Sequence, residues 1–153
     1  MSRVLIIVLV CLVLSIMLNY ELTVKPEFEI IQTSLGDFQL KMLYEKMPVI
    51  IQDRIVELGA LIKHCFKYQY MGSIQSEKPA PYKVLSNIGR FAVLQGSQTR
   101  NKITLKNPMF ENEAAIVLEQ HQVLIIPRKW AYTVDEGSIK QVILRDLVSY
   151  LFG

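Results

Sequence analysis

The chain has 153 residues, 51% of them apolar, and carries a formal net charge of +3. Once a membrane segment is set aside, about 130 residues remain, which suffice for one domain with one hydrophobic core but are few for two. Basic side chains are scattered, with Arg128-Lys129 as the sole adjacent pair, so the basic stripe that a phosphate backbone needs is missing and no nucleic acid is expected as a partner.

The first element is an apolar run from Val4 to Leu18 that only Ser15 interrupts. Val4 to Tyr20 makes 17 residues, at the short end of the roughly 17–25 residues that cross a hydrocarbon core. In lipid, the polar backbone forces such a segment into a helix. We therefore predict a transmembrane signal-anchor over residues 1–22, in contact with the lipid bilayer through residues 4–20, and a soluble domain over residues 23–153.

Two other interpretations of this segment are open. Arg3 followed by an apolar stretch also fits a secretory signal peptide, although the exit SIMLNYELTVK has no small-x-small cleavage pattern. A buried core helix is the third interpretation. The uncleaved anchor is favoured, and it predicts a single-pass membrane protein. Because Arg3 precedes the span and Glu21 follows it, the bulk of the chain is expected to face away from the cytosol.

The segment after the anchor predicts an α-rich front, because apolar residues recur there at helical spacing between two short strand-like runs. Ser34 can cap the first helix, Pro48 ends it, and Gly72 stops the second. The predicted elements are a strand at Glu27–Gln32, a helix at Leu35–Lys46, a strand at Val49–Ile51 and a helix at Ile55–Tyr70.

The back half predicts a β-rich arrangement. Residues 73–83, with Pro79 and Pro81 two apart, are predicted to be a loop. Short apolar runs then follow at roughly ten-residue spacing, separated by turn signals such as Glu136-Gly137, which favours a small sandwich or barrel. The predicted strands are Phe91–Leu94, Lys102–Lys106, Ala114–Leu118, Val123–Ile126 and Ser138–Leu144.

Three segments carry recognisable motifs. Residues 44–51 hold a predicted helix end followed by a Pro-Val strand, residues 91–108 hold a hairpin that ends in a proline, and the stretch HQVLIIPRKWAYTV at residues 121–134 holds a strand, a turn and a second strand. In this order the three segments resemble the JmjC-like cupins. The resemblance covers about residues 27–145. It implies an α+β fold in which the N-terminal transmembrane helix precedes a small cupin-like (double-stranded β-helix) barrel or sandwich with helices packed at its front.

The family's metal ligands have no counterparts in this chain. Active members hold Fe(II) with a His-x-Asp/Glu pair and a later His, which leave coordination positions open for substrates. The late His position falls on Tyr132, and the early pair falls around Tyr82 to Leu85, where there is neither a His nor a carboxylate. We therefore expect no catalytic, cofactor-binding or metal-binding residues, and no cofactor. Trp130 is expected to plug the barrel end, with its N–H bonded to a carbonyl.

The remaining reactive side chains suggest no other site. His64 and Cys65 are neighbours on a predicted helix, so they are not expected to face the same way. His64 is expected to be a partly exposed helix residue, Cys65 a small buried hydrophobe, and His121 a solvated turn residue in the position where the family has Gly. Cys11 lies in the apolar segment, out of reach of Cys65, so no intrachain disulfide is expected.

The sequence therefore favours a membrane-anchored structural or scaffolding protein whose inactive cupin-like domain binds other proteins. Small anchored proteins with degenerate enzyme-like domains occur among the membrane and minor capsid proteins of large DNA viruses, which this chain resembles, so a virion internal membrane is one expected location. Two alternatives stay open. One is a JmjC-like Fe(II)/2-oxoglutarate-dependent oxygenase with an unrecognised metal site, and the other is a small-molecule module that uses the barrel interior.

Overall fold

The computed structural model describes residues 2–23 and 28–152. Within these residues the protein is an α+β structure with a long N-terminal helix, two β-sheets and three shorter helices. The elements in chain order are α1 (Ser2–Leu22), β1 (Ile31–Thr33), α2 (Lys41–Tyr44), β2 (Val49–Ile51), α3 (Leu58–Cys65), β3 (Gly72–Pro79), β4 (Tyr82–Val84), β5 (Phe91–Gly96), β6 (Arg100–Lys106), β7 (Glu113–Glu119), β8 (Val123–Pro127), β9 (Ala131–Glu136), β10 (Ser138–Arg145) and α4 (Leu147–Phe152).

The strands form two sheets. The six-stranded sheet has the order β1-β2-β8-β5-β10-β3, and the four-stranded sheet has the order β4-β9-β6-β7. β1 runs parallel to β2, whereas the other pairs are antiparallel. From β3 onward the chain passes back and forth between the two sheets, so most neighbouring strands are distant in sequence.

The six-stranded sheet is covered on both faces. On one face, Val93 and its neighbours pack against Ile62 and other residues of α2 and α3, forming the outer core. On the other face, Leu94 and its neighbours meet Leu105 and the rest of the four-stranded sheet, forming the inner core. Every residue of β5 and β8 is buried as a result. This explains why these strands are continuous apolar runs without alternation.

Most of the predicted strands are confirmed. β2 matches the prediction residue for residue, and β5, β6, β7, β8 and β10 contain the five strands predicted for the back half. The placement of helices in front of the sheets is also confirmed, because α2 and α3 cover the six-stranded sheet. β1 is shorter than predicted, and Glu27, the first residue of that predicted strand, lies outside the described residues.

The prediction of a loop over residues 73–83 is wrong, because this segment forms β3 and β4. β3 pairs with β10 on one side and is the edge of its sheet. An edge strand keeps one row of backbone groups in solvent, so it tolerates polar residues and proline, and Pro79 is its last residue. Only Ala80 and Pro81, joined by a cis peptide bond, separate the two strands.

Both front helices are shorter than predicted. Ser34 accepts a hydrogen bond from the amide of Asp37 at 3.2 Å, as a helix cap would, but the turn stops there, because Gly36 disfavours helix continuation. The second helix begins at Leu58, and not at Ile55, because the Ile55 carbonyl, which a helix starting there would pair with the amide of Gly59, accepts instead from the side-chain amide of Gln95. Tertiary contacts thus override the local helical spacing.

The C-terminal helix α4 was not predicted, and a buried polar cluster fixes its start. Arg128 contacts Asp146 with a distance of 2.6 Å between Nη2 and Oδ2, and both side chains are largely buried. Asp146 also accepts hydrogen bonds from the amide and hydroxyl of Ser149 at 2.9 and 2.8 Å. Burial pushes the pKa of Asp146 upward, but the hydrogen bonds from Arg128 and Ser149 outweigh it and leave the pKa below its ordinary value.

Helix α1 is apolar along its length and exposed. The span Arg3–Leu22 has a mean hydropathy of 2.5, and none of its most apolar window is buried against the rest of the described chain. By length and composition this helix could cross a membrane. Its C-terminal end contacts the domain, because Lys46 donates from Nζ to the carbonyl of Thr23 at 3.0 Å and Arg90 lies 3.8 Å from Glu21.

Candidate functional site

The residues for which the cupin resemblance implies ligand positions lie on two neighbouring strands. β4 pairs with β9 so that Val84 is opposite Tyr132 and Tyr82 is opposite Val134. Tyr82 and Val84 pack against the inner core, to which Tyr132 belongs, whereas Lys83 between them is exposed. The early and late positions identified from the sequence therefore share one face of one sheet.

This site is apolar. Tyr132 is 1% exposed, and its hydroxyl has no hydrogen-bond partner among the described residues. Burial, and to a lesser degree the nearby phenol of Tyr82, raises the pKa of Tyr132 above its ordinary value. The neutral phenol is therefore the favoured form at physiological pH, which disfavours a role for this hydroxyl as a phenolate base.

Trp130 belongs to the same inner core as Tyr132. Its side chain is fully buried, and its Nε1 donates to the carbonyl of Lys46 at 3.1 Å, so the sequence-based expectation of a carbonyl partner for the indole N–H is confirmed. The ring of Phe28 packs on it with 5.6 Å between ring centroids.

A buried asparagine that the sequence analysis missed organises the loop between β4 and β5. The side-chain amide of Asn87 donates to the carbonyls of Ile126 and Pro127 at 3.2 and 3.1 Å, and its oxygen accepts from the amide of Gly89 at 3.0 Å. The backbone of Asn87 pairs with Lys129 and Trp130. The Ser-Asn-x-Gly pattern predicts a turn, but the sequence does not show which carbonyls the side chain reaches.

His64 and Cys65 line one groove, contrary to the expectation that they face different ways. The groove has a volume of about 470 Å³ and is lined mainly by apolar side chains, with Glu57 as its one carboxylate. His64 is exposed and Cys65 is half-buried, packed against the outer core. Burial raises the pKa of the Cys65 thiol, so the thiolate that nucleophilic chemistry needs is disfavoured.

His121 occupies the turn between β7 and β8 in a left-handed conformation with φ of 66°. Glycine adopts this conformation most readily, which fits the glycine that the cupin resemblance implies at this place. The side chain is partly exposed, and His121 lies in a turn and not on β4 or β9, which carry the Tyr132 site. The two cysteines of the chain are both free.

Over residues 2–23 and 28–152, no group of three or more His, Cys, Asp or Glu side chains lies close enough to hold a metal ion. Comparison of the chain with protein-family models, with curated proteins and with solved structures gives no match. Assignment of a function therefore depends on the geometry of the chain itself.

Proposed function

We propose that this protein is a membrane-anchored structural or scaffolding protein whose cupin-like domain is catalytically inactive and binds other proteins. The observation that carries this proposal is that Tyr82, Val84 and Tyr132, at or near the positions where the resemblance implies ligands, lie on one face of β4 and β9 and include no imidazole or carboxylate. In keeping with the resemblance stated above, we place it among the membrane or minor capsid components of a large DNA virus.

The strand order supports a cupin-like fold. Strands β3 to β10 make an eight-stranded unit in which β3, β10, β5 and β8 are consecutive neighbours in one sheet and β4, β9, β6 and β7 form the other. Eight strands that alternate between two facing sheets are the arrangement of jelly rolls, to which cupins belong. β1 and β2 then extend one sheet beyond this unit.

The chemistry of the site supports an inactive domain. Fe(II) oxygenases need imidazole and carboxylate ligands on one face, with open positions for the co-substrate. At the corresponding face this chain has two phenols and a valine, none of which is such a ligand. Another residue could replace one missing metal ligand, but a chain that lacks all three ligands has no coordination geometry left to complete.

The properties of α1 support a membrane anchor. Twenty residues of α-helix are about 30 Å long, which equals the thickness of a typical hydrocarbon core. The span Arg3–Leu22 has this length, and most of its side chains are exposed in the structure. Tyr20, near its end, has an amphipathic ring of the kind that is enriched at the membrane–water interface.

The loop between β4 and β5 is the surface best suited to a protein partner. Leu85 and Ile88 are 77% and 51% exposed, yet the loop that carries them is held by the buried Asn87. Rigid apolar side chains lose little conformational entropy on binding, which makes them effective at the centre of protein–protein interfaces.

The full-length protein, purified in detergent from cells supplied with iron, tests the proposal. Intact mass is expected to include residues 1–22, metal analysis to give no stoichiometric iron, and 2-oxoglutarate turnover to equal that of a buffer blank. A mature N-terminus near residue 22 would refute the anchor. Stoichiometric iron or turnover would instead support the oxygenase alternative, with ligands drawn from elsewhere in the chain.

Partner binding is tested by a photo-crosslinking residue at position 85 or 88 in the producing cell's membranes, with position 140, exposed on β10, as the matched control. We expect one discrete adduct from the two loop positions and none from position 140. Equal cross-linking from all three positions would contradict a specific interface at this loop.

A further inference from the structure

An exposed apolar surface lies on the domain at the C-terminal end of α1. Two segments contribute to it, residues 68–71 and helix α4. Large apolar or aromatic side chains from these segments are more than half exposed; they are Tyr68, Met71, Leu147, Tyr150, Leu151 and Phe152. We call these six residues the juxtamembrane patch. Such a concentration at one end of a domain calls for a partner.

The patch adjoins the last turns of α1. A groove of about 350 Å³ is lined on one side by Leu14, Met17 and Leu18 of α1, and on the other by Tyr68 and Leu147 together with their neighbours. The ion pair between Arg90 and Glu21 and the hydrogen bond from Lys46 to Thr23 hold the end of α1 against the domain. Patch residues therefore lie beside side chains of the proposed membrane span.

The level at which the juxtamembrane patch adjoins α1 determines how deep the patch lies in the bilayer. Leu14 precedes Leu22 by eight residues, about 12 Å of helix, and α1 is only long enough to cross the hydrocarbon core. Domain residues at the level of Leu14 to Leu18 therefore reach the headgroup layer and the outer part of the acyl chains. Water cannot be their surroundings if α1 spans the bilayer.

The composition and rigidity of the patch suit a lipid interface. Arg145 lies over the ring of Tyr150 at 4.3 Å, and Lys67 lies 5.4 Å from the ring of Tyr68. Aromatic rings with adjacent basic groups that can extend to the phosphates are favoured at this depth. The cluster around Asp146 fixes the start of α4, so the patch is presented in one orientation.

We propose that the juxtamembrane patch inserts into the same bilayer leaflet from which α1 emerges, so that the domain lies flat on the membrane. This inference rests on the proposed membrane anchor. The partner is the phospholipid surface, with the apolar side chains in the upper acyl region and Lys67 and Arg145 at the phosphates. The loop that bears Leu85 and Ile88 then has a fixed orientation relative to the membrane.

Full-length protein in phosphatidylcholine nanodiscs tests the inference by quenching of tryptophan fluorescence with lipids brominated on their acyl chains. The informative variants are Tyr68→Trp and Phe152→Trp, both at exposed positions that tolerate substitution. Leu9→Trp reports on insertion of α1. Val117→Trp is the matched control, half-exposed on β7 and absent from the groove. Native Trp130 supplies a constant buried background.

We expect several-fold stronger quenching at positions 9, 68 and 152 than at position 117. Quenching at position 9 alone would overturn the flat-lying domain and leave the anchor intact. Absence of quenching at position 9 would overturn both. If positions 68 and 152 are not quenched but Phe152→Cys cross-links two copies of the chain, the patch is a dimer surface and the membrane assignment is wrong.

Discussion

Trp130 and Lys46 are joined by a hydrogen bond of 3.1 Å from the indole Nε1 to the backbone carbonyl. Lys46 ends the turn after α2 in a left-handed conformation with φ of 58°. The bond therefore ties the start of β9 to the helical front of the domain, across residues that are far apart in sequence. Trp130 therefore stabilises the domain through this hydrogen bond as well as through the burial of its ring.

The first prediction concerns the hydrogen bond between Trp130 and Lys46. Trp130→Ala removes a fully buried ring, which typically costs about 3–5 kcal/mol of unfolding free energy, a large part of the roughly 5–15 kcal/mol that a small domain has. Trp130→Phe keeps most of the ring but removes the hydrogen bond to the Lys46 carbonyl, which costs about 0.5–1.5 kcal/mol. The melting temperature of the full-length protein in detergent should be lower for Trp130→Phe than for the parent, and lowest for Trp130→Ala.

Lys129→Ala is the control for Trp130, because it changes an adjacent residue whose side chain lies at the surface, and we expect little effect. A Trp130→Ala variant that melts like the parent but loses association with a partner would place the ring in an interface and contradict the buried position described above.

Asn87 provides the second prediction. Replacement by Ala leaves the carbonyls of Ile126 and Pro127 and the amide of Gly89 without their partner. A buried unsatisfied polar group costs about 1–3 kcal/mol, so Asn87→Ala should unfold many degrees below the parent. Ser86→Ala, which alters an exposed neighbour with one weak contact at 3.5 Å, should not. Equal melting temperatures for the two variants would show that the loop is not fixed by this side chain.

The third prediction is a pH dependence. The folded-state pKa of Asp146 is lowered, so its carboxylate stabilises the fold above its unfolded pKa of about 3.9, and this contribution is lost as the pH falls through the lower folded value. Asp146→Asn should therefore flatten the loss of stability below about pH 4. At neutral pH it should cost about 3–5 kcal/mol, because Arg128 keeps a largely buried, unpaired charge.

Melting temperature measured between neutral and acidic pH distinguishes these effects. Glu111→Gln, at an exposed position, should follow the parent at every pH. If Asp146→Asn lowers the melting temperature equally at every pH, and the fall below about pH 4 is as steep as in the parent, protonation of Asp146 does not contribute to acid unfolding.

The fourth prediction restores the missing ligands. Directly opposed residues on antiparallel strands have Cβ atoms about 4.5–5.5 Å apart, and alternate residues on one strand share a face. Tyr82→His, Val84→Asp and Tyr132→His together should therefore create a His-x-Asp/His site that binds Co²⁺ with visible d–d absorption. The parent should show none.

The control for this variant moves the carboxylate to the other face. Tyr82→His, Lys83→Asp and Tyr132→His carry the same ligand types, but residue 83 is exposed on the outer surface, so Co²⁺ affinity should fall to the level of the parent. Far-ultraviolet circular dichroism establishes that both triple variants are folded. Equal Co²⁺ binding by the two would show that the pairing of β4 with β9 does not define the site.

The sequence predicted the elements whose pattern reflects burial. The continuous apolar runs of β2, β5 and β8 indicated strands covered on both faces, and the Ile-Pro-x-x-Trp segment indicated the buried ring of Trp130. Elements that depend on contacts with distant parts of the same chain were not predicted. β3 is polar because it is an edge strand, and α4 depends on Asp146 and Arg128, whose proximity no local pattern reveals.

The arrangement of the candidate site was also largely beyond what the sequence could predict. Tyr82 was expected to lie in a loop, so the shared face of Tyr82 and Tyr132 was not predicted and follows from the pairing of β4 with β9. The role of Asn87 could not be predicted, because its partners Ile126 and Pro127 are brought to it by the sheet and not by spacing along the chain. His64 and Cys65 share a groove because the segment of residues 35–40 folds over α3.

The position of β10 has a consequence for how the protein is made. β10 lies between β5 and β3 and, within the described residues, is the only strand partner of β3. β10 follows both strands in the chain, so on the ribosome β3 and one side of the apolar β5 must stay unpaired until β10 has been synthesised. If α1 has by then entered a membrane, an unfinished domain is held at the lipid surface with its sheet edges open. Successful folding then depends on rapid synthesis of β10 or on a chaperone that covers those edges.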